Sequence, residues 1–347
     1  MKMDPILDVK NIYTYFYTES GIVEALDGVS FDVMPREPVG IVGESGCGKT
    51  VTAKSALRIL DKNGRTISGE IIYKGVDLLK LPDMQMRRIR GKEIAMIFQD
   101  PMTSLNPIFR IEDQMTEVIS LHRKCGKKEA KEIAIEMLDQ VGIPDAEKRI
   151  IDYPHQFSGG MRQRILIARA LSLQPSLLIA DEPTTALDVT IQAQVLEIIK
   201  EMQKKLGLAM MLITHNLGVV AEITKRVHIF YGGRVVESGL TEDIFLNPKH
   251  PYTYALFESI PSLEVDKTRL ETIPGMVPRL INPPKGCRFH PRCKFATEVC
   301  SRIRPPEIEF GRGRRVACHH FEELNLYIGK DVLREKTVQR DQVKEEV

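Results

Sequence analysis

The sequence has little net charge, no long apolar run and no apolar leader at its start. Its 49 lysines and arginines nearly cancel 47 aspartates and glutamates, so charge alone demands neither nucleic acid nor an anionic membrane. The opening residues 1–5 lack the apolar stretch behind a basic end that marks a secretory signal. The longest uncharged, apolar-rich stretch is residues 206–221, whereas a membrane-spanning helix needs about 20 mostly apolar residues. We therefore expect a soluble chain that is not exported.

Cysteine and proline are concentrated near the end of the chain. Four of the six cysteines lie between Cys287 and Cys318, and half of the 20 prolines lie in the last 100 residues. Because nothing marks the chain for export, clustered thiols favour a metal site over disulfides. The 347 residues are enough for more than one domain. This distribution predicts a regular main domain and a smaller, loop-rich one.

Short apolar runs alternate with helical patterns along the first 245 residues. Runs that predict buried strands are Ile6–Val9, Gly28–Val33, Val39–Val42, Glu93–Phe98, Leu177–Ala180 and Met210–Ile213. Helices are predicted for Lys49–Leu60, residues 110–142, Ile165–Leu171 and Val189–Leu206. Several of these strands are apolar throughout rather than alternating, which is typical of an α/β fold with a largely parallel sheet.

A glycine-rich segment follows one of these predicted strands. It fits the pattern G-x-x-x-x-G-K-[ST] with the residues Gly43, Glu44, Ser45, Gly46, Cys47, Gly48, Lys49 and Thr50. Its glycines let backbone N–H groups point at phosphate oxygens, Lys49 adds positive charge near the β- and γ-phosphates, and the Thr50 hydroxyl can bind Mg²⁺. With a strand before it and a helix after it, the segment predicts a nucleoside triphosphate site that extends to Val51.

Two carboxylates end the predicted strand Leu177–Ala180. Asp181 at that position suits a Mg²⁺ site beside a phosphate loop, and Glu182 could polarise an attacking water. A strand running out into solvent would give the same pattern, but the phosphate loop favours the catalytic interpretation.

The segment Phe157–Arg164, which contains Ser158-Gly159-Gly160, resembles the signature motif of ATP-binding cassette (ABC) proteins, in which Ser-Gly-Gly opens a helix. One departure is Phe157, where the family commonly has leucine. Other cassette motifs follow in the family's order: Gln99 resembles the Q-loop, Ala186-Leu187-Asp188 the D-loop and His215 the switch histidine. Phe16 matches the aromatic position that stacks on adenine, although Tyr13, Tyr15 and Tyr17 are alternatives. The resemblance covers residues 1–245 and implies a helical subdomain at about 105–165.

The resemblance implies that one chain is half of a catalytic unit. In this family two cassettes pair head to tail, so that the phosphate loop of one and Ser158, Gly159 and Gly160 of the other sandwich ATP. It further implies that Gln99 and Asp181 join Thr50 at Mg²⁺. Lys49 and His215 would contact the γ-phosphate, while Glu182 orients the attacking water.

The four clustered cysteines are separated by gaps of 5, 6 and 17 residues (Cys287, Cys293, Cys300, Cys318). Four thiolates can hold Zn²⁺ or an iron–sulfur cluster, and the absence of a tight C-x2–4-C pair favours iron–sulfur. His290, His319 or His320 could replace one cysteine. Residues 285–320 carry nine lysines and arginines against three glutamates, which would offset the thiolate charge, bind phosphate or form a solvated basic face.

Residues 246–328 resemble the C-terminal region of oligopeptide and dipeptide importer ATPases. The resemblance is carried by three segments: Asn247–Thr253 with its His-Pro-Tyr, Ile273-Pro274-Gly275, and Gly286–Cys293. In members of that group the four cysteines are associated with a [4Fe-4S] cluster. The charged stretch 329–347 is assigned no function.

We therefore expect an ATPase subunit that powers import of di- or oligopeptides from the cytoplasmic face of a membrane, peripheral to it. Its expected partners are a second ATP-binding subunit, two permease subunits contacted near Gln99–Pro107, and indirectly a peptide-binding protein; nucleic acid is not expected. Alternatives are a nickel or glutathione importer, a soluble ABC ATPase acting on nucleic acid, and a redox enzyme. The soluble ATPase lacks support because no coiled-coil heptads or second cassette are present, and the redox enzyme because there is no second cofactor motif.

Overall fold

The computed structural model describes residues 4–99, 104–185, 187–259 and 273–326. Its strands are β1 Leu7–Thr18, β2 Gly21–Val33, β3 Pro38–Val42, β4 Gly64–Tyr73, β5 Val76–Asp77, β6 Ile94–Ile97, β7 Leu177–Asp181, β8 Ala209–Thr214, β9 Arg226–Tyr231, β10 Arg234–Leu240, β11 Ile308–Phe310 and β12 Arg314–Val316. Its α-helices are α1 Lys49–Leu57, α2 Asp83–Ile89, α3 Ile111–Arg123, α4 Lys127–Gln140, α5 Ala146–Arg149, α6 Gly159–Leu171, α7 Val189–Leu206, α8 Leu217–Ile223, α9 Thr241–Leu246, α10 Pro251–Glu258 and α11 Glu298–Arg302.

The chain divides into two compact units, and each is built from several segments. The first unit comprises Met1–Asp8, Asp32–Pro38 and Ile71–Ile213. Its sheet has the strand order β8-β7-β6, with Leu177 of β7 opposite Ile94 of β6 and Ala209 of β8. Both pairings are parallel, and every residue of β7 and β8 is buried. Burial on both faces explains why these strands are apolar throughout.

Helices cover this parallel sheet. Helix α3 packs on α4, α4 on α6, and α6 on both β6 and α7. The predicted helical stretch over residues 110–142 consists of two helices, α3 and α4, with a break between them. Lys124 takes a left-handed conformation (φ 55°) that ends α3, and Gly126 is the extended residue from which α4 begins.

The second unit comprises Val9–Phe31, Val39–Glu70 and Thr214–Val347. Its strands form one group in the order β2-β1-β4 and another in the order β11-β12-β10-β9-β3. In this unit the β3–β9 pair is parallel, whereas β9–β10, β10–β12 and β11–β12 are antiparallel. The expectation of a largely parallel sheet therefore holds for the first unit and not for the second.

Helix α1 begins at the predicted residue, Lys49, but ends three residues before the predicted Leu60. Arg58 adopts a left-handed conformation (φ 52°), and its N–H bonds back to the carbonyls of Lys54 and Ser55. A left-handed residue at this position closes the last turn and satisfies carbonyl groups that the helix leaves unpaired.

The proline-rich region of the second unit is held by a buried ion pair. Strand β12 pairs with β10, and beside this pairing Arg314 Nη2 donates to the Glu237 carboxylate at 3.0 Å. Glu237 also accepts from the backbone N–H groups of Lys249 and His250 at 2.8 and 2.9 Å. Both side chains of the pair are at least nine-tenths buried. Because breaking such a pair leaves an uncompensated buried charge, it pins this region firmly to β10. The charged stretch 329–347 lies outside the described residues.

Three aromatic rings, those of Tyr231, Tyr252 and Phe289, pack together in the second unit. The ring of Phe289 is 5.1 Å from that of Tyr231 and 5.4 Å from that of Tyr252, and the two tyrosine rings are 4.6 Å apart. All three residues are buried. Tilted and edge-on contacts at these distances favour a fixed mutual orientation of the rings.

In the described part of the chain, no helix has the length and apolarity that crossing a membrane requires.

Candidate nucleotide site and cysteine cleft

The glycine-rich segment joins β3 to α1, as predicted. The chain curls around the ammonium group of Lys49, which donates to the carbonyl oxygens of Gly43 at 2.7 Å and Glu44 at 3.0 Å. Lys49 is 5% exposed. A buried cation wrapped by a loop that opens a helix is the arrangement that binds the phosphates of a nucleotide.

Two glycines of this loop are required by what surrounds them. A Cβ on Gly43 would overlap the carbonyl oxygen of Phe230. Gly48 has a positive φ of 105°, and its Cβ would lie 2.7 Å from the carbonyl oxygen of Ala25 and 2.8 Å from Leu26. Gly46 also has a positive φ, 78°, but nothing lies within 4 Å of its Cβ position. Space therefore restricts Gly43 and Gly48, whereas only backbone conformation restricts Gly46.

Cys47 is a packed thiol in this loop. It is fully buried, and its Sγ lies 3.8 Å from the Lys49 ammonium. Burial raises the pKa of the Cys47 thiol despite that neighbouring charge. Its backbone carbonyl accepts from the N–H of Gly233 at 2.9 Å, which ties the loop to the turn between β9 and β10.

In the first unit, the structure brings together two of the predicted catalytic residues. Gln99 follows β6 and Glu182 follows β7, and Gln99 Nε2 donates to Glu182 Oε2 at 3.0 Å. Thr185 Oγ1 donates to the same oxygen at 3.0 Å. The pairing arises because parallel strands bring their carboxyl ends to one edge of the sheet. Asp181, the last residue of β7, is 1% exposed.

The Glu182 carboxylate is held by its backbone as well. Glu182 has a left-handed φ of 45°, and its N–H donates to the carbonyl of Ile213 at 2.8 Å. A non-glycine residue in this region costs about 1–2 kcal/mol and is often found at functional sites.

The signature segment opens α6 as predicted. The hydroxyl of Ser158 caps this helix by accepting from the N–H of Met161 at 3.3 Å. Ser158 and Gly159 are exposed, whereas Gly160 is buried against Ile191, whose Cγ2 would lie 2.5 Å from an added Cβ. The N-terminus of this 13-residue helix, which is the positive end of its dipole, is therefore exposed at two small residues, Ser158 and Gly159. Phe157 replaces the family's leucine as a buried side chain, with the Arg149 guanidinium 4.2 Å from its ring centroid.

The remaining predicted residues have simple local surroundings. His215 is exposed directly after β8, and its neighbour Asn216 caps α8 through its side-chain oxygen. Asp188 of the D-loop caps α7 by accepting from the N–H of Ile191 at 3.0 Å, while Ala186 lies outside the described residues. Phe16 is half-buried in β1 and its ring lies against Gly64.

The four clustered cysteines line one cleft of the second unit. Cys287, Cys293, Cys300 and Cys318 share its walls with His290, His319 and His320. The cleft encloses about 320 Å³, open solvent included. Burial raises the pKa of the Cys293 thiol to about 11 and that of Cys318 to about 12, and the neighbouring thiols act in the same direction. In the described ranges, no three histidine, cysteine or acidic side chains are close enough to hold one metal ion.

Sequence reasoning missed the residues that join this cleft to the phosphate loop. The Tyr252 Oη accepts from the N–H of Glu44 at 3.0 Å, and Arg292 forms an ion pair with the Glu44 carboxylate at 2.7 Å. Burial holds the pKa of Tyr252 well above its ordinary value, so its hydroxyl stays neutral. No local sequence signal identified these contacts, because Glu44 is 208 positions from Tyr252 and 248 from Arg292.

Arg288 forms a second connection. Its guanidinium donates to the carbonyl of Gly232 at 2.5 Å and pairs with Glu24 and Asp27 at 2.6 and 2.8 Å. Although burial of Asp27 acts in the opposite direction, Arg234 and Arg288 lower the pKa of this carboxyl. Asp27 therefore stays ionised among the arginines around it.

These features define a P-loop nucleotide-binding protein of the ATP-binding cassette type. Residues 26–185 match the ABC transporter family, and residues 236–300 match the family described as the oligopeptide/dipeptide transporter C-terminal region.

Relatives align over almost the whole chain. A probable peptide ABC transporter ATP-binding protein of Sinorhizobium fredii is 51% identical, over 93% of this chain and 97% of its own length. The dipeptide transport protein DppD of Bacillus subtilis is 49% identical (91% and 95%), and the oligopeptide transport protein OppD of Haemophilus influenzae is 48% identical (93% and 100%).

Solved structures show the same fold. A dimeric structure of the bacterial ABC transporter cassette MJ0796 has a TM-score of 0.60 at 25% identity, covering 68% of this chain and 98% of that one. CbiO1 of Clostridium perfringens has a TM-score of 0.59 at 26% identity, with 70% and 91% covered. The chain belongs to the ATP-binding subunits of peptide-importing ABC transporters, whose ATPase activity is coupled to peptide transport.

Gly48→Ala should destabilise the nucleotide-free protein more than Gly46→Ala does. Both substitutions place a side chain at positive φ, at a cost of about 1–2 kcal/mol. Only Gly48→Ala adds overlap with Ala25 and Leu26. Its free energy of unfolding, measured in urea, should therefore fall by about 1–3 kcal/mol more than that of Gly46→Ala. Equal losses for the two variants would show that packing around Gly48 does not restrict this loop.

Proposed function

We propose that this chain hydrolyses ATP as one of two ATP-binding subunits that drive import of di- or oligopeptides through a membrane permease. The observation that carries the proposal is the Glu182 carboxylate, which the Gln99 amide, the Thr185 hydroxyl and its own strained backbone hold in one orientation. A carboxylate fixed in this way after a buried strand suits a group that orients water for attack on the γ-phosphorus.

Each predicted residue then has a defined role. Lys49 and the loop N–H groups bind the β- and γ-phosphates, and Phe16 stacks on adenine. Glu182 orients the attacking water, whose oxygen bonds to the γ-phosphorus as the bond to ADP breaks, giving ADP and phosphate. His215 contacts the γ-phosphate as its negative charge shifts.

The residues suit Mg²⁺. A hydroxyl, an amide oxygen and a carboxylate from Thr50, Gln99 and Asp181 are hard oxygen donors, the type that Mg²⁺ prefers. Gln99 directs its amide nitrogen at Glu182, which leaves the amide oxygen as its ligating end. Bound Mg²⁺ would neutralise charge on the β- and γ-phosphates.

A second cassette would complete the site. Ser158 and Gly159 are exposed at the start of α6, where backbone N–H groups and the helix dipole favour a γ-phosphate bound by the other subunit. The solved structure of the related cassette MJ0796 is dimeric, which agrees with a pair of cassettes here.

Permease subunits are the proposed membrane partners, and they would hold this chain on the cytoplasmic face of the membrane. The proposed contact region is Gln99–Pro107, of which residues 100–103 lie outside the described ranges. Ile108 and Phe109, directly after it, are 73% and 50% exposed, which suits an apolar contact with a protein partner. A separate peptide-binding protein would deliver the substrate to the permease.

The cysteine cleft is proposed to hold a [4Fe-4S] cluster. The fit rests on the four thiols lining one cleft. Burial, and after it the neighbouring thiols, raise the pKa of the Cys318 thiol, and a bound cationic group would relieve that repulsion. The preference for a cluster over Zn²⁺ rests on the cysteine spacing, which lacks a tight C-x2–4-C pair. Bound there, the cluster would supply either a structural cross-link or a one-electron redox site.

Stimulation of ATP hydrolysis by peptide tests the transport role. We expect the complex of this chain with a second ATP-binding subunit, the permease subunits and the binding protein to hydrolyse ATP faster when peptide is added. The matched control carries Glu182→Gln in the ATP-binding subunits, which should bind ATP normally but lose about a hundredfold or more in kcat. If nickel or glutathione stimulates hydrolysis and no peptide does, the assignment of peptide as the substrate is wrong. An unchanged kcat in the Glu182→Gln control would contradict the role proposed for Glu182.

Iron analysis tests the cluster. Protein purified without oxygen should contain about four iron atoms per chain and, after reduction, give the paramagnetic resonance signal of a [4Fe-4S] cluster. Cys293→Ser should lose the signal. Cys125 lies between α3 and α4 and does not line the cysteine cleft, so Cys125→Ser should keep the signal. Wild-type protein that contains zinc and no iron would contradict this proposal.

A further inference from the structure

Glu44, the second residue of the phosphate loop, is held at two points by the C-terminal region. Its backbone N–H donates to Tyr252 Oη at 3.0 Å. Its carboxylate accepts from both terminal nitrogens of Arg292, from Nη1 at 2.7 Å and from Nη2 at 3.1 Å. Two parallel bonds between a guanidinium and a carboxylate fix direction as well as distance.

The groups that hold Glu44 are themselves fixed. Arg292 is 8% exposed, and its Nε donates to the carbonyl of Pro274 at 2.9 Å. Tyr252 is fully buried, with its ring against Tyr231 and Phe289. Neither side chain can follow a moving loop without losing contacts, so their positions restrict the backbone at Glu44.

The same segment of chain forms a wall of the cysteine cleft. Cys287 and Cys293 line the cleft, and between them lie Phe289, which contacts Tyr252, and Arg292, which holds Glu44. Cys293 is the residue directly after Arg292. A shift of either cysteine would therefore move groups that contact the phosphate loop.

We propose that Arg292 and Tyr252 are positioning residues that set the affinity of the phosphate loop for nucleotide, and that they make this affinity depend on what the cysteine cleft holds. The loop binds phosphate through backbone N–H groups, so a change in backbone direction at Glu44 changes the cradle itself. Coupling between two sites is reciprocal, so bound nucleotide must equally favour the occupied cleft. The second half of this proposal rests on the proposed cluster; the first half does not.

Binding of the Mg²⁺ complex of a non-hydrolysable ATP analogue to the full chain tests the first half. Tyr252→Phe removes one acceptor oxygen and keeps the ring, and Arg292→Gln removes the ion pair. Each should raise the dissociation constant about five- to tenfold, with Arg292→Lys intermediate because it keeps the charge but not the paired geometry. The KM for ATP should rise in parallel, while kcat changes less than twofold.

Two matched variants control for general damage. Tyr254→Phe lies on the same helix as Tyr252, and Arg302→Gln changes an exposed arginine close to Cys300. Both should leave nucleotide affinity unchanged. Destabilisation in urea by Tyr252→Phe or Arg292→Gln with unchanged affinity would show a purely structural role and overturn the proposal.

Iron depletion tests the second half. The dissociation constant of the analogue is compared between iron-loaded and iron-depleted protein, in the wild type and in the Tyr252→Phe, Arg292→Gln double variant, which lacks both contacts to Glu44. Depletion should weaken binding severalfold in the wild type and have no effect in the double variant. Equal wild-type affinities with and without iron would overturn the coupling. Wild-type protein that never contains iron would refute the cluster and the coupling with it, while the variants above still test the positioning.

Discussion

The backbone conformation of residues 43–50 is the constraint on which the rest of this molecule depends. When a loop binds phosphate through its backbone N–H groups, the direction of each N–H depends on the backbone conformation. Contacts with other atoms must therefore hold that conformation in place. Lys49 does so from within through the carbonyls of Gly43 and Glu44. Close neighbours do so from outside, because Gly48 lies too near Ala25 and Leu26 for any side chain.

Buried arginines extend this constraint into the C-terminal region. Arg292 reaches the loop directly through Glu44, and Arg288 reaches it through the turn at Gly232 and Gly233, which bonds to Cys47. Both arginines lie in the segment between the first two cysteines of the cleft. Charged groups buried this deeply stabilise a fold only when they are paired, and the carboxylates paired with them are Glu44 for Arg292, and Glu24 and Asp27 for Arg288. The C-terminal region, residues 236–300 of which match the oligopeptide/dipeptide transporter family, is therefore joined to the phosphate loop by polar contacts as well as by the aromatic cluster.

The sequence predicted those parts of the fold that depend on local pattern. Helix α7 has the predicted bounds, Val189–Leu206, because its apolar period is strong and Asp188 and Gly207 cap its ends. The strand before Asp181 was equally clear, because the four buried residues Leu177–Ala180 leave an uninterrupted apolar signal. For the site, Gln99 and His215 follow β6 and β8, Asp181 ends β7, and Ser158 caps α6. Their roles remain proposals.

What the sequence could not predict depends on contacts between distant residues. Arg58 and Lys124 take left-handed conformations that neither residue type favours, so the end of α1 was placed three residues late and the break after α3 was not predicted. Strand β12 is three residues long and is defined by its pairing with β10 rather than by its own pattern. Glu44 and Arg292 are 248 positions apart, and nothing in either local sequence indicates the other. Pairing across such distances is set by the completed fold.

The central claim is that the phosphate loop and the Cys287–Cys293 segment act as one structural element. Hydrogen–deuterium exchange of the full chain, with and without a Mg²⁺-bound non-hydrolysable ATP analogue, tests it most directly. The account predicts that the analogue slows amide exchange in residues 43–50 and also in residues 286–293. Protection confined to residues 43–50 would contradict it.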